Sequence, residues 1–190
     1  MTELSQLTST FLDFLSSQDK NWSLCTLSFM ACFLVFFALY IPLRHYRQQW
    51  TKVYVICFSL FFAFKANGAL MWLLPFTTFV SWYLTHSMMR LKHGKLRKTG
   101  LAITIFTELI PLLYYKYTNF TLEIFHELLR SNFSPMKLLL PVGISFFTFQ
   151  AISYTVDVYK GRYPKTAKLL DYTFYLTFFP LLIAGPITRA

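Results

Sequence analysis

Gln150, Ser153, Tyr154 and Asp157 are threaded through an otherwise apolar run, LLLPVGISFFTFQAISYTVDVYKG, which extends from Leu138 to Gly161. Steps of three, one and three residues place the four on one face of a helix, while Ser145, Thr148 and Thr155 form another face. Polar atoms at membrane depth need partners or a wet cavity. Two readings follow for the Gln150 face. It lines a polar tunnel or substrate passage, or it bonds to neighbouring helices, each such contact contributing on average about 0.6 kcal/mol. For Asp157, close to a basic loop, placement at the membrane interface is favoured.

Two further charged residues join this candidate passage. Glu108 lies about 10 Å along its helix at 1.5 Å per residue, deep enough to be either a cavity carboxylate or a buried contact to a neighbour. Arg189 follows Pro180, Gly185 and Pro186, which break helical regularity, and broken backbone in a membrane survives only inside protein or beside water. Arg189 therefore lines a cavity and meets an anion, reaches an interface, or is solvated. Lys116, set among Tyr114, Tyr115 and Tyr117, has the make-up of an interfacial belt residue. His45, His86, His93 and His126 show no ligand or triad spacing, and the sequence contains no metal cluster, glycine-rich phosphate loop or nucleophile elbow.

The elements that would carry these residues are membrane helices. Of 190 residues, 55% are apolar, 20% aromatic and 14% charged, too greasy for a soluble domain of this size. The net charge of +10 raises nucleic acid as a partner, but the positions of the charges argue against it. Twelve of the eighteen Lys and Arg fall in three loops: Arg44, Arg47 and Lys52; Arg90, Lys92, Lys95, Arg97 and Lys98; Lys160, Arg162, Lys165 and Lys168. Each loop abuts an apolar run, the positive-inside pattern, and no nucleic-acid module surrounds them.

The runs are Trp22–Leu43, Val53–Phe64, Ala69–Met89, Leu101–Thr118, Pro141–Gly161 and a broken one over Asp171–Ala190. The expected fold is an all-α polytopic bundle of five to six spans plus an amphipathic interfacial helix at Phe120–Arg130. Val53–Phe64 and Ala69–Met89 read as a hairpin, or as one broken element and one full helix, and Lys65 could snorkel from the hairpin tip. The three basic loops are expected inside, with residues 1–21 and the Asn119–Lys137 loop outside. Glu3, Asp13 and Asp19 precede the first basic residue, Lys20, so the start lacks the cationic front of a signal peptide. Cys25, Cys32 and Cys57 sit in apolar runs as small packing residues. No internal repeat or linker divides the chain, so 1–190 reads as a single membrane domain.

Three blocks resemble the amino-terminal half of the membrane-bound O-acyltransferases: YYKYTNF at Tyr114–Phe120, LPVGISFFTFQAISYTVDVYKG at Leu140–Gly161 and LTFFPLLIAGPITR at Leu176–Arg189. The likeness is to the bacterial branch of alginate O-acetylation and teichoic-acid D-alanyl transfer, in order and spacing over Tyr114–Ala190. It implies a multi-helix inner-membrane enzyme that moves an acyl group, commonly acetyl, from a cytoplasmic donor such as acetyl-CoA to an acceptor across the membrane. Periplasmic or extracellular partner subunits and a polysaccharide acceptor are implied with it, with no bound cofactor. In the family the catalytic histidine lies beyond the motif that Gly185, Pro186 and Ile187 begin, so none of these residues inherits that role. The resemblance thus implies a chain truncated before its catalytic histidine and inactive alone. The other reading of the same blocks is a non-catalytic membrane scaffold or binding subunit, or a gene remnant.

Overall fold

The computed structural model describes residues 27–91, 94–129, 140–163 and 166–184. Arg189 and the expected external segment 1–21 lie outside them. Among the described residues all regular structure is helical, as the apolar periodicity predicts. The long helices are α1 (Leu27–Tyr46), α2 (Gln48–Asn67), α3 (Leu73–Arg90) and α4 (Lys95–Leu112). They are followed by α5 (Thr118–Leu129), α6 (Ile144–Tyr159), α7 (Leu169–Thr177) and α8 (Phe179–Ala184).

Arg47, extended at φ −146° and ψ 127°, breaks the first helix and folds α2 back along α1. Rings hold the pair together: Phe36 stacks on Tyr54 and Phe58 at 5.1 and 4.2 Å between centroids, and the Tyr54 hydroxyl donates to the Phe36 carbonyl. Among the described residues one apolar helical run, Gln48–Arg90, is long enough to cross a membrane, and Phe29–His45 is a shorter apolar helix. The run is bent by Gly68 (φ 60°) and the tight 3₁₀ turn Gly68–Trp72. A side chain rarely adopts that backbone, which is why a glycine stands at the bend.

The direction of the two arms follows from what touches α7. Lys52 pairs with Asp171 and the Ser59 hydroxyl accepts from the Phe179 N–H, so α2 runs alongside α7 and α8. Ser81 meets Tyr172 while Trp82 donates to the Ala167 carbonyl and His86 meets Thr166, so α3 runs against them. The arms thus form the expected hairpin, with α7 packed against both. Lys65 differs from expectation. It is 1% exposed, with its ammonium 5.8 Å from the Phe61 ring centre, because it falls on the inner face of α2 rather than at the tip.

The helix α4 returns against α3 and α6. Arg97 donates to the Tyr159 carbonyl near one end, and Glu108 accepts from Ser81 and Thr155 farther along. Pro111 lacks the N–H that would continue the ladder. The next residues, Leu113–Tyr117, form a wider π turn that runs on into α5. The amphipathic segment is therefore joined to α4, with Phe120, Thr121, Glu123 and Ile124 exposed.

The helix α6 starts at Gly143 (φ 85°), beside which the Asn67 side chain accepts from the Val142 N–H. It stops at Gly161 (φ 73°), where the Arg162 N–H returns to the Asp157 carbonyl, the six-to-one closure of a glycine-ended helix. The last segment breaks between α7 and α8, and Pro180 has no N–H to continue the ladder there. These contacts collect the three basic loops at one end of the bundle.

Polarity along α3 is inverted relative to a helix of a water-soluble bundle. On α3, Thr78, Ser81 and Thr85 point inward, whereas Phe76, Phe79 and Tyr83 are 65%, 52% and 58% exposed. Water would favour the reverse arrangement.

Candidate functional site

The buried polar groups concentrate where α3, α4, α6 and α7 meet. Ser81 and Thr155 both donate to Glu108 Oε1, at 2.5 and 2.8 Å. Ser81 Oγ also lies 2.6 Å from the Tyr172 hydroxyl, and Thr155 Oγ1 lies 3.0 Å from Thr85 Oγ1. Four helices are thereby tied to a single carboxylate. Period explains the placement: Thr78, Ser81 and Thr85 are three and four residues apart, one stripe on α3, and Glu108 comes one turn after Thr104 on the buried side of α4.

Glu108 is 8% exposed, and its second oxygen, Oε2, is buried with no hydrogen-bond partner among the described residues. Beside it lies a cavity of about 130 Å³ between α3, α4 and α6. Its walls are mainly apolar, including Phe76, Val80, Ile110, Phe147 and Ala151.

The Gln150 face points elsewhere. The Gln150 amide donates to the Tyr175 carbonyl at 3.4 Å, and the Tyr154 hydroxyl accepts from the Ala167 N–H at 2.8 Å, both on the α7 side of α6. Asp157 forms an ion pair with Arg162 in the basic loop, and Ser153 is half-buried. The structure therefore brings Gln150, Tyr154 and Asp157 against the α7 segment and its preceding loop. It separates them from Glu108, which joins Thr155 on the other face. Arg189 lies outside the described residues.

Sequence reasoning passed over Ser81, Thr85 and Tyr172. The first two carried a signal, since a small polar residue every three or four positions along an apolar run marks an inward stripe. Tyr172 carried none, because only the docking of α7 against α3 defines its partner. His45 bonds the Ile41 carbonyl, and His86 sits between Thr166 and Arg90. His93 and the side chain of His126 lie outside the described residues.

A second feature lies at the basic end. Tyr40, Arg44, Gln48, Thr51, Lys52 and Phe174 border a groove of about 420 Å³, with Lys52 held by Asp171.

No family profile matches the chain, and no solved structure matches it. Over 93 residues, 47% of this chain, it is 42% identical to the probable alginate O-acetylase AlgI of Pseudomonas aeruginosa, covering 18% of that protein. The Azotobacter vinelandii protein of the same name is 40% identical over 93 residues, 19% of its length. A peptidoglycan O-acetyltransferase of Helicobacter pylori is 28% identical over 188 residues, covering 85% of this chain and 36% of the relative. The chain thus spans only about a fifth of the length of the alginate O-acetylases it matches. These similarities support membership of the membrane-bound O-acyltransferase family over about half of the chain.

Proposed function

We propose that these residues form the amino-terminal, polytopic membrane part of an O-acetyltransferase that modifies an exported polysaccharide, as the names of its relatives suggest. The observation that carries the reading is the 42% identity to an alginate O-acetylase. The inverted polarity of α3 supports the membrane setting. A water-soluble protein would not turn Phe76, Phe79 and Tyr83 outward while burying Glu108 and Thr155. The whole protein takes acetyl from a cytoplasmic donor such as acetyl-CoA and delivers it across an inner membrane, with extracytoplasmic subunits completing transfer. The present residues supply helical scaffold to that enzyme.

A chimera tests this. In a Pseudomonas aeruginosa strain lacking its own protein, the matched stretch of that protein is replaced by the equivalent residues of this chain. Restored acetyl esters on the polymer are expected. A chimera that accumulates in the membrane yet leaves the polymer unacetylated overturns the proposal.

Orientation is tested separately. With the basic loops inside, a cysteine at the exposed Glu123 reacts with an impermeant maleimide in intact cells, and one at Lys160 reacts only after permeabilisation. The opposite labelling reverses the topology.

A further inference from the structure

The groove at the basic end is walled by α1, α2 and α7, and all three walls change character in the same direction. On α1, Arg44 stands nearest the basic end and Tyr40 lies one turn deeper. On α2, Gln48 and Lys52 precede Val55, which is 3% exposed and forms part of the floor. On α7, Asp171 comes first and Phe174 follows about one turn along. Phe37, half exposed with its ring centre 6.3 Å from that of Tyr40, carries the apolar stripe of α1 farther in. The groove is thus cationic at its mouth and apolar beneath, graded along the helix axes.

The mouth supplies donors. Arg44 carries five guanidinium N–H groups, Gln48 an amide, and Lys52 three N–H groups, with Asp171 taking one. Thr51 adds nothing, because its hydroxyl is turned to the carbonyls of Leu43 and Arg47. Two cations set against one carboxylate leave one positive charge over. That surplus matches a phosphodiester, which bears a single negative charge and accepts from the planar fork of an arginine. A zwitterionic headgroup cancels its own phosphate and leaves the surplus in place. Free phosphate would use the mouth alone, whereas Tyr40, Val55 and Phe174 offer a bed for hydrocarbon attached to it. The volume of about 420 Å³ is ample for a ligand group, since sites for small molecules run from roughly 300 to 1,000 Å³.

We propose that this groove binds an anionic membrane lipid, its phosphodiester oxygens on Arg44, Gln48 and Lys52 and an acyl chain along Tyr40, Val55 and Phe174. Basic pockets between membrane helices hold acidic headgroups in this way. The inference rests on the membrane setting proposed above and is independent of the acetyl-transfer chemistry.

The purified chain in detergent is heated with dioctanoylphosphatidylglycerol, dioctanoylphosphatidylcholine or glycerophosphoglycerol, which is the headgroup of the first without its chains. The unfolding midpoint is followed against concentration, and a saturable rise with phosphatidylglycerol alone is expected. Arg44→Gln keeps a donor but loses the charge, and should weaken binding about fivefold. Gln48→Glu puts a carboxylate into the mouth and should abolish the rise; it stands at an exposed position in the first turn of α2, where an acidic residue suits the helix. Lys160→Gln removes an exposed cation from a different loop at the same end and should leave binding unchanged. An equal response to phosphatidylcholine or to glycerophosphoglycerol, an undiminished response in either folded groove variant, or no saturable response to phosphatidylglycerol overturns the proposal. So does a loss in Lys160→Gln as large as that in Arg44→Gln, which would mark diffuse surface charge. No acetyl transfer is measured, so these outcomes are separable from that of the chimera.

Discussion

The α1–α2–α8 corner and the α3–α4–α6–α7 corner hold helices together by opposite means. In the first, Phe179 enters a nest of rings, with Phe29, Phe33, Phe36, Phe58 and Phe62 all within 6.2 Å between centroids. In the second, hydroxyls from three helices converge directly or in relay on one carboxylate of a fourth. Lipid tails are as apolar as phenylalanine, so the ring nest gains from close packing and shape rather than from escape from water. Polar groups gain because their alternative is hydrocarbon, yet most have a second partner nearby. One corner therefore concentrates its stability in a few side chains, and the other spreads it across a network.

Thermal unfolding of variants in detergent puts numbers on that contrast. Phe179→Ala removes the ring shared by five others and should cost most, about 3–5 kcal/mol, seen as the largest fall in midpoint. Thr155→Val keeps shape but strips one donor from Glu108 and the partner of Thr85, and is expected to cost about 1–3 kcal/mol. Tyr172→Phe leaves Ser81 still bonded to Glu108, so the loss should be near the membrane average of about 0.6 kcal/mol. Were Tyr172→Phe to cost as much as Phe179→Ala, the network could not be redundant and the contrast would fail. Coupling within each corner sharpens it. Ser81→Ala combined with Tyr172→Phe should lose less than the sum of the single changes, whereas Phe179→Ala and Tyr172→Phe, in separate clusters, should add.

The basic loops were read from spacing and the inward stripe on α3, though passed over, was open to the same reading, because helical period and loop charge are local properties of the chain. The Lys65 position was misjudged for a related reason. Its place near the end of an apolar run suggested a tip, but the helix continues two residues further to Asn67 and turns Lys65 inward. The division of α6 into two faces was also visible, whereas the partner of each face was not.

Composition, charge placement and period were sufficient for an all-helical chain with polar residues inside apolar runs and its cations gathered into three loops. The three matched blocks added the family likeness. Folding was needed to join Glu108 to Ser81 and Thr155, and Ser81 to Tyr172, 91 positions further along the chain. Period tells which side of a helix turns inward, but the neighbour it meets depends on how bends at Gly68, Gly143 and Gly161 aim each helix through space.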